Sequence, residues 1–264
     1  MFADSRQGAG FAAGDNRKRS GESIAEAYNA EVSAIPPTPP AIILKDLVKF
    51  FGRFAAIRGI SGSFAPGRLY VVLGDNGAGK STLLRMVAGL MEPSQGTFTL
   101  LGTNNHREVA HRVGYMGHAP LLYDELSGME NLRYFAGLYG LDDDAVCRNA
   151  MQMVGLDPEL SRRIGQYSQG MRQRLSLARA VLHDPELILL DEPFSNVDMH
   201  SAREMAAVLG RVRDKGKTIF VVTHQAALME GVADEFVHMA AGQVVAREEM
   251  VRKAAIPNAE WTPR

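Results

Sequence analysis

The feature that most restricts the fold of this chain is a glycine-rich loop between an apolar run and an amphipathic segment. The loop matches the phosphate-binding pattern G-x-x-x-x-G-K-[ST]. Its residues are Gly74, Asp75, Asn76, Gly77, Ala78, Gly79, Lys80, Ser81 and Thr82. Residues 69–73 before it are apolar, and Leu83, Leu84 and Val87 after it recur at helical spacing. We therefore predict a buried strand, the loop and a helix in succession, with a chance glycine-rich turn as the alternative.

A bound nucleotide would give each part of this loop a chemical role. The glycines let the backbone fold around phosphates, so that successive N–H groups and the helix N-terminus face anionic oxygens. Lys80 would place a positive charge at the β- and γ-phosphates, and Ser81 would ligate Mg²⁺. The pattern predicts a nucleotide with β- and γ-phosphates, together with Mg²⁺, as the ligands.

A second segment predicts another ligand of the metal. Residues 187–190 are apolar and are followed directly by Asp191 and Glu192. Mg²⁺ prefers oxygen ligands and keeps several waters, so we expect Asp191, at the carboxyl end of a buried strand, to hold it. Alternation along the strand points Glu192 elsewhere, toward the γ-phosphate, where its carboxylate would accept a proton from the attacking water. A helix cap or a turn is the alternative for the two carboxylates.

The composition is that of a globular chain with no charge excess. The 264 residues include 29 basic and 30 acidic side chains, and this balance argues against a dedicated nucleic-acid-binding protein. Cys147 is the single cysteine, so we expect a buried thiol in a reducing compartment. No stretch reaches the roughly 18 to 20 apolar residues of a membrane span, and residues 1–21 lack the apolar segment of a secretory signal. We therefore expect a chain that neither crosses a bilayer by itself nor is exported.

The two ends of the chain differ from its middle. Residues 1–40 are rich in glycine, alanine and polar side chains and end in four prolines, which predicts a disordered tail and a Pro-rich linker. Ile24, Tyr28 and Val32 would also fit a short amphipathic helix. Residues 251–264 form a predicted C-terminal tail.

The middle of the chain has the pattern of a layered α/β fold. Short runs of Val, Ile and Leu alternate with turns and with segments of helical period, as in a sheet of buried parallel strands. The predicted strands are 42–47, 69–73, 187–190, 219–222 and 235–239, with a short strand pair at 97–101 and 113–116. Between 121 and 165 the spacing of Met129, Leu132, Ala136 and Tyr139 is helical and no strand is predicted, which indicates a helical insertion.

Residues 167–174, with the sequence YSQGMRQR, resemble the signature sequence of the ATP-binding cassette (ABC) ATPases. A serine and a glycine just before the predicted helix 171–181 form a second helix terminus that can bind an anion. The resemblance implies that two cassettes dimerise head to tail, so that Ser168 and Gly170 meet the ATP held by Lys80 of the other subunit. A simply capped helix is the alternative.

Further positions resemble the same family. Asp198 resembles the aspartate at the dimer interface, and His224 resembles the histidine that contacts the γ-phosphate. A structural histidine after a buried strand is the alternative for His224. Phe51 occupies the place of the aromatic residue on which adenine stacks, although Phe50 would serve equally and either ring could instead pack in the core.

The chain also departs from the family pattern. His118 stands where the family usually has a glutamine that touches Mg²⁺ and relays the nucleotide state to a transporter. Imidazole is a softer ligand than an amide oxygen, so the resemblance leaves His118 as a nucleotide-site residue without assigning it a metal contact. Gln169 and Met171 replace a glycine and a glutamine of the signature, as in other prokaryotic members.

The resemblance implies a fold and a function for residues 41–250 as an ABC ATPase domain. The fold is α/β, a P-loop nucleotide-binding core with a mostly parallel sheet, an antiparallel β portion at the N-terminus and a helical subdomain at about 121–180. The function is that of an ATP-hydrolysing subunit that works as a homodimer, or as a heterodimer with another ABC ATPase subunit. Its other partners are separately encoded membrane permease subunits rather than nucleic acid, and its location is cytoplasmic, on the inner face of the cell membrane.

The segment that contains His118, Pro120 and residues 125–132 is similar to ATPases of haem export in cytochrome c biogenesis and to drug, polysaccharide and lipid exporters. This similarity favours export. An alternative is a soluble ABC-type ATPase of an assembly complex, such as iron–sulfur cluster biogenesis. A nucleotide-gated regulator with very slow hydrolysis is a further alternative, against which the intact Glu192 argues.

Overall fold

A computed structural model of the chain describes residues 39–250. The predicted disordered tail, the pattern of Ile24, Tyr28 and Val32, and the predicted tail 251–264 lie outside the described residues, apart from Pro39 and Pro40 of the linker.

The described strands and helices alternate over most of the chain. The strands are β1 Ile42–Phe51, β2 Phe54–Phe64, β3 Leu69–Leu73, β4 Gln95–Leu100, β5 Val113–Met116, β6 Leu187–Asp191, β7 Thr218–Val222, β8 Glu235–Ala240 and β9 Gln243–Glu249. The helices are α1 Lys80–Val87, α2 His106–Val109, α3 Gly128–Leu138, α4 Asp144–Met153, α5 Gln169–Val181 and α6 Met199–Asp214. Short 3₁₀ turns lie at Ala110–Arg112, Ile164–Gln166 and Ala226–Leu228.

Two sheets organise these elements. The larger sheet has six strands in the order β5-β6-β7-β3-β8-β9, and all its pairs are parallel except β8 with β9. The smaller sheet is antiparallel, in the order β2-β1-β4. Every residue of β6 and β7 is buried, as expected of central parallel strands that are covered on both faces. The predicted fold, with its mostly parallel sheet and its antiparallel portion near the N-terminus, is confirmed.

The prediction of a strand pair at 97–101 and 113–116 was wrong. Both segments form strands, but β4 pairs with β1 in the small sheet and β5 pairs with β6 in the large one. The two segments are neighbours in the sequence, and closeness along the chain does not decide which strands share a ladder.

Two strands, β2 and β9, were missing from the sequence prediction. β2 contains Arg58, Gly59, Ser61, Gly62 and Ser63, and β9 lies at an edge of the large sheet with most of its residues exposed. Strands at the edges of sheets need few apolar side chains, so they lack the continuous Val, Ile and Leu runs that identify buried strands.

The helical insertion is present. Helices α3 and α4 occupy the predicted region, and between residues 121 and 165 the described chain makes only one isolated β-bridge, Ser127 with Arg163. Buried as the spacing predicts are Met129, Leu132 and Ala136. Tyr139 directly follows α3 as its C-cap and is exposed. Ser127 and Glu130 form a capping box that fixes where α3 begins.

The large sheet separates two hydrophobic clusters. Leu69 and Val71 of β3 face the cluster that contains α3 to α6, and Tyr70 and Val72 face the cluster that contains α1 and the small sheet. Cys147 is a buried free thiol in the first cluster, as predicted, and burial raises its pKa.

The packing of α3 can be tested with one substitution at two positions. Leu132 is 0% exposed and Leu138, on the same helix, is 67% exposed. We expect Leu132→Ala to lower the free energy of unfolding by about 2–5 kcal/mol, because it removes buried methyl groups and leaves a cavity. Leu138→Ala should change it by less than about 0.5 kcal/mol. Urea denaturation followed by circular dichroism measures both, and equal losses would show that α3 does not pack as described.

Candidate nucleotide-binding site

The phosphate-binding loop lies between β3 and α1, as predicted, and two neighbouring carbonyl groups explain two of its glycines. A Cβ at Gly74 would lie 2.1 Å from the Met239 carbonyl oxygen, and one at Gly79 would lie 2.6 Å from the Ala56 carbonyl oxygen. Both residues also have a positive φ, 149° at Gly74 and 98° at Gly79. Strands β8 and β2 therefore press on the loop from outside, and no larger residue fits at either position.

Lys80 is held inside the loop that precedes it. Its side chain is buried, and Nζ donates hydrogen bonds to the carbonyl oxygens of Gly74, at 2.7 Å, and Asp75, at 2.9 Å. Across residues 39–250 Lys80 forms no ion pair with a carboxylate. Buried charges are ordinarily paired, so this ammonium group suits an anionic ligand.

Asp191 and Ser81 meet at the carboxyl ends of the strands. The Ser81 hydroxyl donates to Asp191 Oδ1 at 2.8 Å, so the side chains predicted to ligate Mg²⁺ lie together. Asp191 is 1% exposed, and its Oδ2 is buried without a hydrogen-bond partner among the described residues. A buried carboxylate oxygen that lacks a donor fits a hard cation or a water bound to one.

The described residues contain no larger cluster of metal-binding side chains at this or any other place. Within residues 39–250 no group of three or more His, Cys, Asp or Glu side chains is arranged to hold a metal ion. Mg²⁺ is usually held by one or two protein oxygens together with water and substrate phosphates, so the pair of Ser81 and Asp191 suits it.

Glu192 and His224 form a second pair of side chains at the carboxyl ends of the parallel strands. His224 Nδ1 lies 3.0 Å from Glu192 Oε2, and the Glu192 backbone N–H donates to the Val222 carbonyl. Glu192 adopts a positive φ of 54°, a conformation that costs a non-glycine residue free energy and is enriched at functional sites. The sequence predicted both residues as catalytic, and their side chains are in direct contact.

The signature segment lies on a different surface. Ser168 is the N-cap of α5, and its Oγ accepts a hydrogen bond from the Met171 N–H at 3.2 Å. The helix therefore begins at Gln169, two residues before the predicted start. Ser168 and Gly170 line a cavity to which no residue of the phosphate-binding loop contributes. The structure thus keeps the two predicted phosphate-binding elements apart within one chain.

Residues 57–195 match the sequence profile of the family described as ABC transporter. The chain belongs to the ABC transporter family. It is 36% identical over 199 residues to the ABC transporter ATP-binding protein NatA of Bacillus subtilis, covering 73% of this chain and 81% of NatA. It is 34% identical over 195 residues to the fluoroquinolones export ATP-binding protein of Mycobacterium tuberculosis, covering 72% of this chain and 64% of that protein.

A solved structure shows the same fold. A dimeric bacterial ABC transporter cassette superposes with a TM-score of 0.75 at 22% identity, over 80% of this chain and 99% of that one. The family match and the similarity to NatA confirm the predicted family and activity, and the chain is an ATP-binding and ATP-hydrolysing cassette. No helix of the cassette among residues 39–250 is long and apolar enough to cross a membrane.

Asp198 of the cassette lies at the start of α6. It is the N-cap of that helix, and its Oδ1 accepts a hydrogen bond from the Ser201 N–H at 3.0 Å. This bond lowers the pKa of the Asp198 carboxyl, because it favours the charged form. Asp198 lines the same cavity as Ser168 and Gly170, so three of the residues predicted at the dimer interface share one surface.

The aromatic residues at the end of β1 are not core residues. Phe50 is 43% exposed and Phe51 is 48% exposed, so either ring can present a face to a base. Lys49 Nζ lies 5.6 Å from the centre of the Phe51 ring. Phe54, at the start of β2, is exposed as well, and the sequence analysis missed it because it missed that strand.

His118 of the cassette follows β5 and is exposed. β5 runs parallel to β6, with Met116 opposite Leu190, so His118 lies at the sheet edge where β6 ends in Asp191. A nucleotide contact of His118 stays a prediction.

Replacement of Glu192 tests the hydrolytic role of the Glu192–His224 pair. We expect Glu192→Gln to slow ATP turnover by on the order of 10²-fold or more while ATP binding is preserved, because the amide keeps the shape of the side chain and loses the base. Turnover is measured by phosphate release, and binding by titration with a fluorescent ATP analogue. Turnover at the unmodified rate would contradict this role.

Replacement of Asp191 tests the proposed metal ligands. We expect Asp191→Asn to lower the Mg²⁺-dependent rate by on the order of 10²-fold, because the metal loses its anionic ligand. Ser81→Ala should act in the same direction through loss of the hydroxyl. The rates are measured across a Mg²⁺ titration, and an unchanged Mg²⁺ dependence in both variants would exclude this pair as the metal site.

Proposed function

We propose that the cassette is the ATP-hydrolysing subunit of an exporter, and that it works as a dimer with two ATP molecules between its halves. The observation that carries this proposal is the separation of its two phosphate-binding elements: the cavity at Ser168 and Gly170 contains no residue of the loop around Lys80. The signature helix is α5, which Ser168 caps. Two chains arranged head to tail would place the signature helix of each chain on the nucleotide held by the other chain. The solved cassette that shares this fold is dimeric, which supports dimerisation of this chain.

The residues of one chain would divide the work of hydrolysis. Lys80 would provide a positive charge to the phosphates, and Ser81 and Asp191 are the residues that would hold Mg²⁺. The metal, when bound, would neutralise charge that develops on the β- and γ-phosphates. Glu192 takes the proton of the attacking water, and His224 holds the Glu192 carboxylate in place through its ring nitrogen.

The second chain would complete the site. Ser168 keeps one hydroxyl lone pair and its proton beyond the bond that caps α5, and the first N–H groups of that helix have no partner within the helix. These donors would face the γ-phosphate of the ATP held by the other chain. ATP would thus join the two chains, and its hydrolysis would release them.

The membrane partner would bind beside α3. Tyr123 and Tyr134 are exposed and pack edge to face at 5.0 Å; these two residues are the aromatic patch. Leu121, two residues before Tyr123 in the sequence, is exposed as well. Asn131, which is buried, holds the Tyr123 backbone through bonds to its N–H and its carbonyl group. The aromatic patch and His118 form the surface that we assign to a separately encoded permease, with the cassette on the cytoplasmic side of the membrane.

Export is favoured by the similarity to the fluoroquinolones export protein. Within export, the similarity to haem exporters stays a prediction. The alternative of a soluble ATPase of an assembly complex is not favoured, because the relatives described above are named for transport or export.

The test is co-purification from native membranes. A tagged Glu192→Gln form, loaded with ATP and Mg²⁺ so that the dimer is trapped, should carry a membrane-spanning protein in comparable amount, identified by mass spectrometry. Tyr134→Glu in the aromatic patch should reduce this yield, because it places a charge on an apolar contact. Val245→Glu serves as the control, since Val245 is even more exposed, 61% against 47% for Tyr134, but lies on the edge strand β9. Recovery of soluble partners alone would favour the assembly ATPase.

A further inference from the structure

Two helix N-termini line one cavity on the surface assigned to the dimer. Ser168 caps α5 and Asp198 caps α6, and both belong to the lining of a cavity of about 510 Å³. The loop from Gly155 to Leu160, which follows α4, lines the same cavity. The two residues that the proposed dimer turns toward the other chain therefore sit on separate helices, and their relative position needs a connection.

Arg174 makes that connection. It lies on α5, and its Nη2 donates to Ser201 Oγ at 2.7 Å and to Glu204 Oε2 at 2.6 Å, both on α6. Its Nη1 donates to the Val154 carbonyl at 3.3 Å, at the end of α4. One guanidinium group thus bonds the signature helix to the two other segments that surround the cavity.

The connection reaches the first turn of α6. The Ser201 N–H is held by Asp198 Oδ1 at 3.0 Å, and the Ser201 hydroxyl is held by Arg174. Arg174 is therefore linked to the N-cap residue Asp198 through a single residue, Ser201. Its side chain is 14% exposed, so these charge-assisted bonds are shielded from water and salt.

The planar shape of the Arg174 guanidinium matters as much as its charge. A guanidinium is planar and presents five N–H donors in a fixed fork, so it can bond three acceptors on two separate segments at once. A lysine ammonium would keep the charge but not this geometry. The arrangement is therefore specific to arginine at this position.

We propose that Arg174 is a positioning residue that fixes Ser168 and Asp198 relative to each other. The signature helix α5 and the helix α6 then approach the nucleotide of the other chain as one surface. Arg174 also lines this cavity, and we assign its effect to the two helices that it bonds together, α5 and α6. The proposal rests on the dimer of the proposed function. On this proposal, one chain binds ATP without the help of Arg174. The closure of two chains around ATP requires Arg174.

The main test uses Arg174→Gln in the full chain. In the Glu192→Gln background we expect the ATP-dependent dimer, measured by sedimentation velocity, to weaken by about tenfold or more, because a partly buried set of charge-assisted hydrogen bonds is lost. Binding of a fluorescent ATP analogue to the monomer should stay unchanged. In the background that retains Glu192, kcat should fall while the KM for ATP changes little.

Matched variants separate positioning from general damage. Arg174→Lys should give an intermediate dimer affinity, and Glu204→Gln should weaken the dimer without adding fully to Arg174→Gln in a double-mutant cycle. Arg133→Gln removes the same charge from an exposed pair with Asp144, away from this cavity, and should leave dimerisation within about twofold of the parent. Arg174→Lys and Glu204→Gln also decide the matter if Arg174→Gln does not fold.

Two results would overturn the proposal in distinguishable ways. If the Glu192→Gln parent forms no dimer with ATP, the proposed dimer fails and the role of Arg174 fails with it. If the parent dimerises and the Arg174 and Glu204 variants dimerise equally well, or lose monomer ATP binding to the same extent as dimerisation, only the positioning role is excluded.

Discussion

The parallel pairing of β3, β7 and β6 determines where the reactive groups of one chain lie. Val72 pairs with Val222, and Val222 pairs with Asp191, so the three strands end at the same level. The phosphate-binding loop leaves β3 at that level, Asp191 and Glu192 leave β6, and His224 follows β7. The two side-chain pairs, Ser81 with Asp191 and His224 with Glu192, follow from this register and need no long loop to bring them together.

The other half of the proposed site obeys a different rule. Ser168 and Asp198 are placed by helix caps, and a cap fixes a residue relative to its own helix only. The relation between two helices depends on side-chain contacts such as those of Arg174. One half of the proposed site is thus positioned by the backbone pairing of a sheet, and the other half by contacts between side chains.

Sequence reasoning succeeded where the physical signal is local. The glycine-rich loop and the buried strands β3, β6 and β7 were placed within a residue or two, because a buried parallel strand must be continuously apolar. It failed for β2 and β9 and for the partners of β4 and β5, because exposed strands carry weak patterns and pairing is a long-range property. In the site, motifs predicted each residue at the sheet edge, whereas Arg174 gave no signal beyond the signature sequence, since its three acceptors come from elements distant along the chain.

The buried Oδ2 of Asp191 has a consequence for the stability of the protein without its ligands. Among residues 39–250 no side chain or backbone group donates to this carboxylate oxygen, and a buried carboxylate oxygen without a donor costs free energy. A cation or a metal-bound water at that oxygen would lower this cost, and any ligand that binds only the folded chain shifts the folding equilibrium by mass action. The resistance of the cassette to heat and proteolysis would then follow the supply of MgATP in the cell.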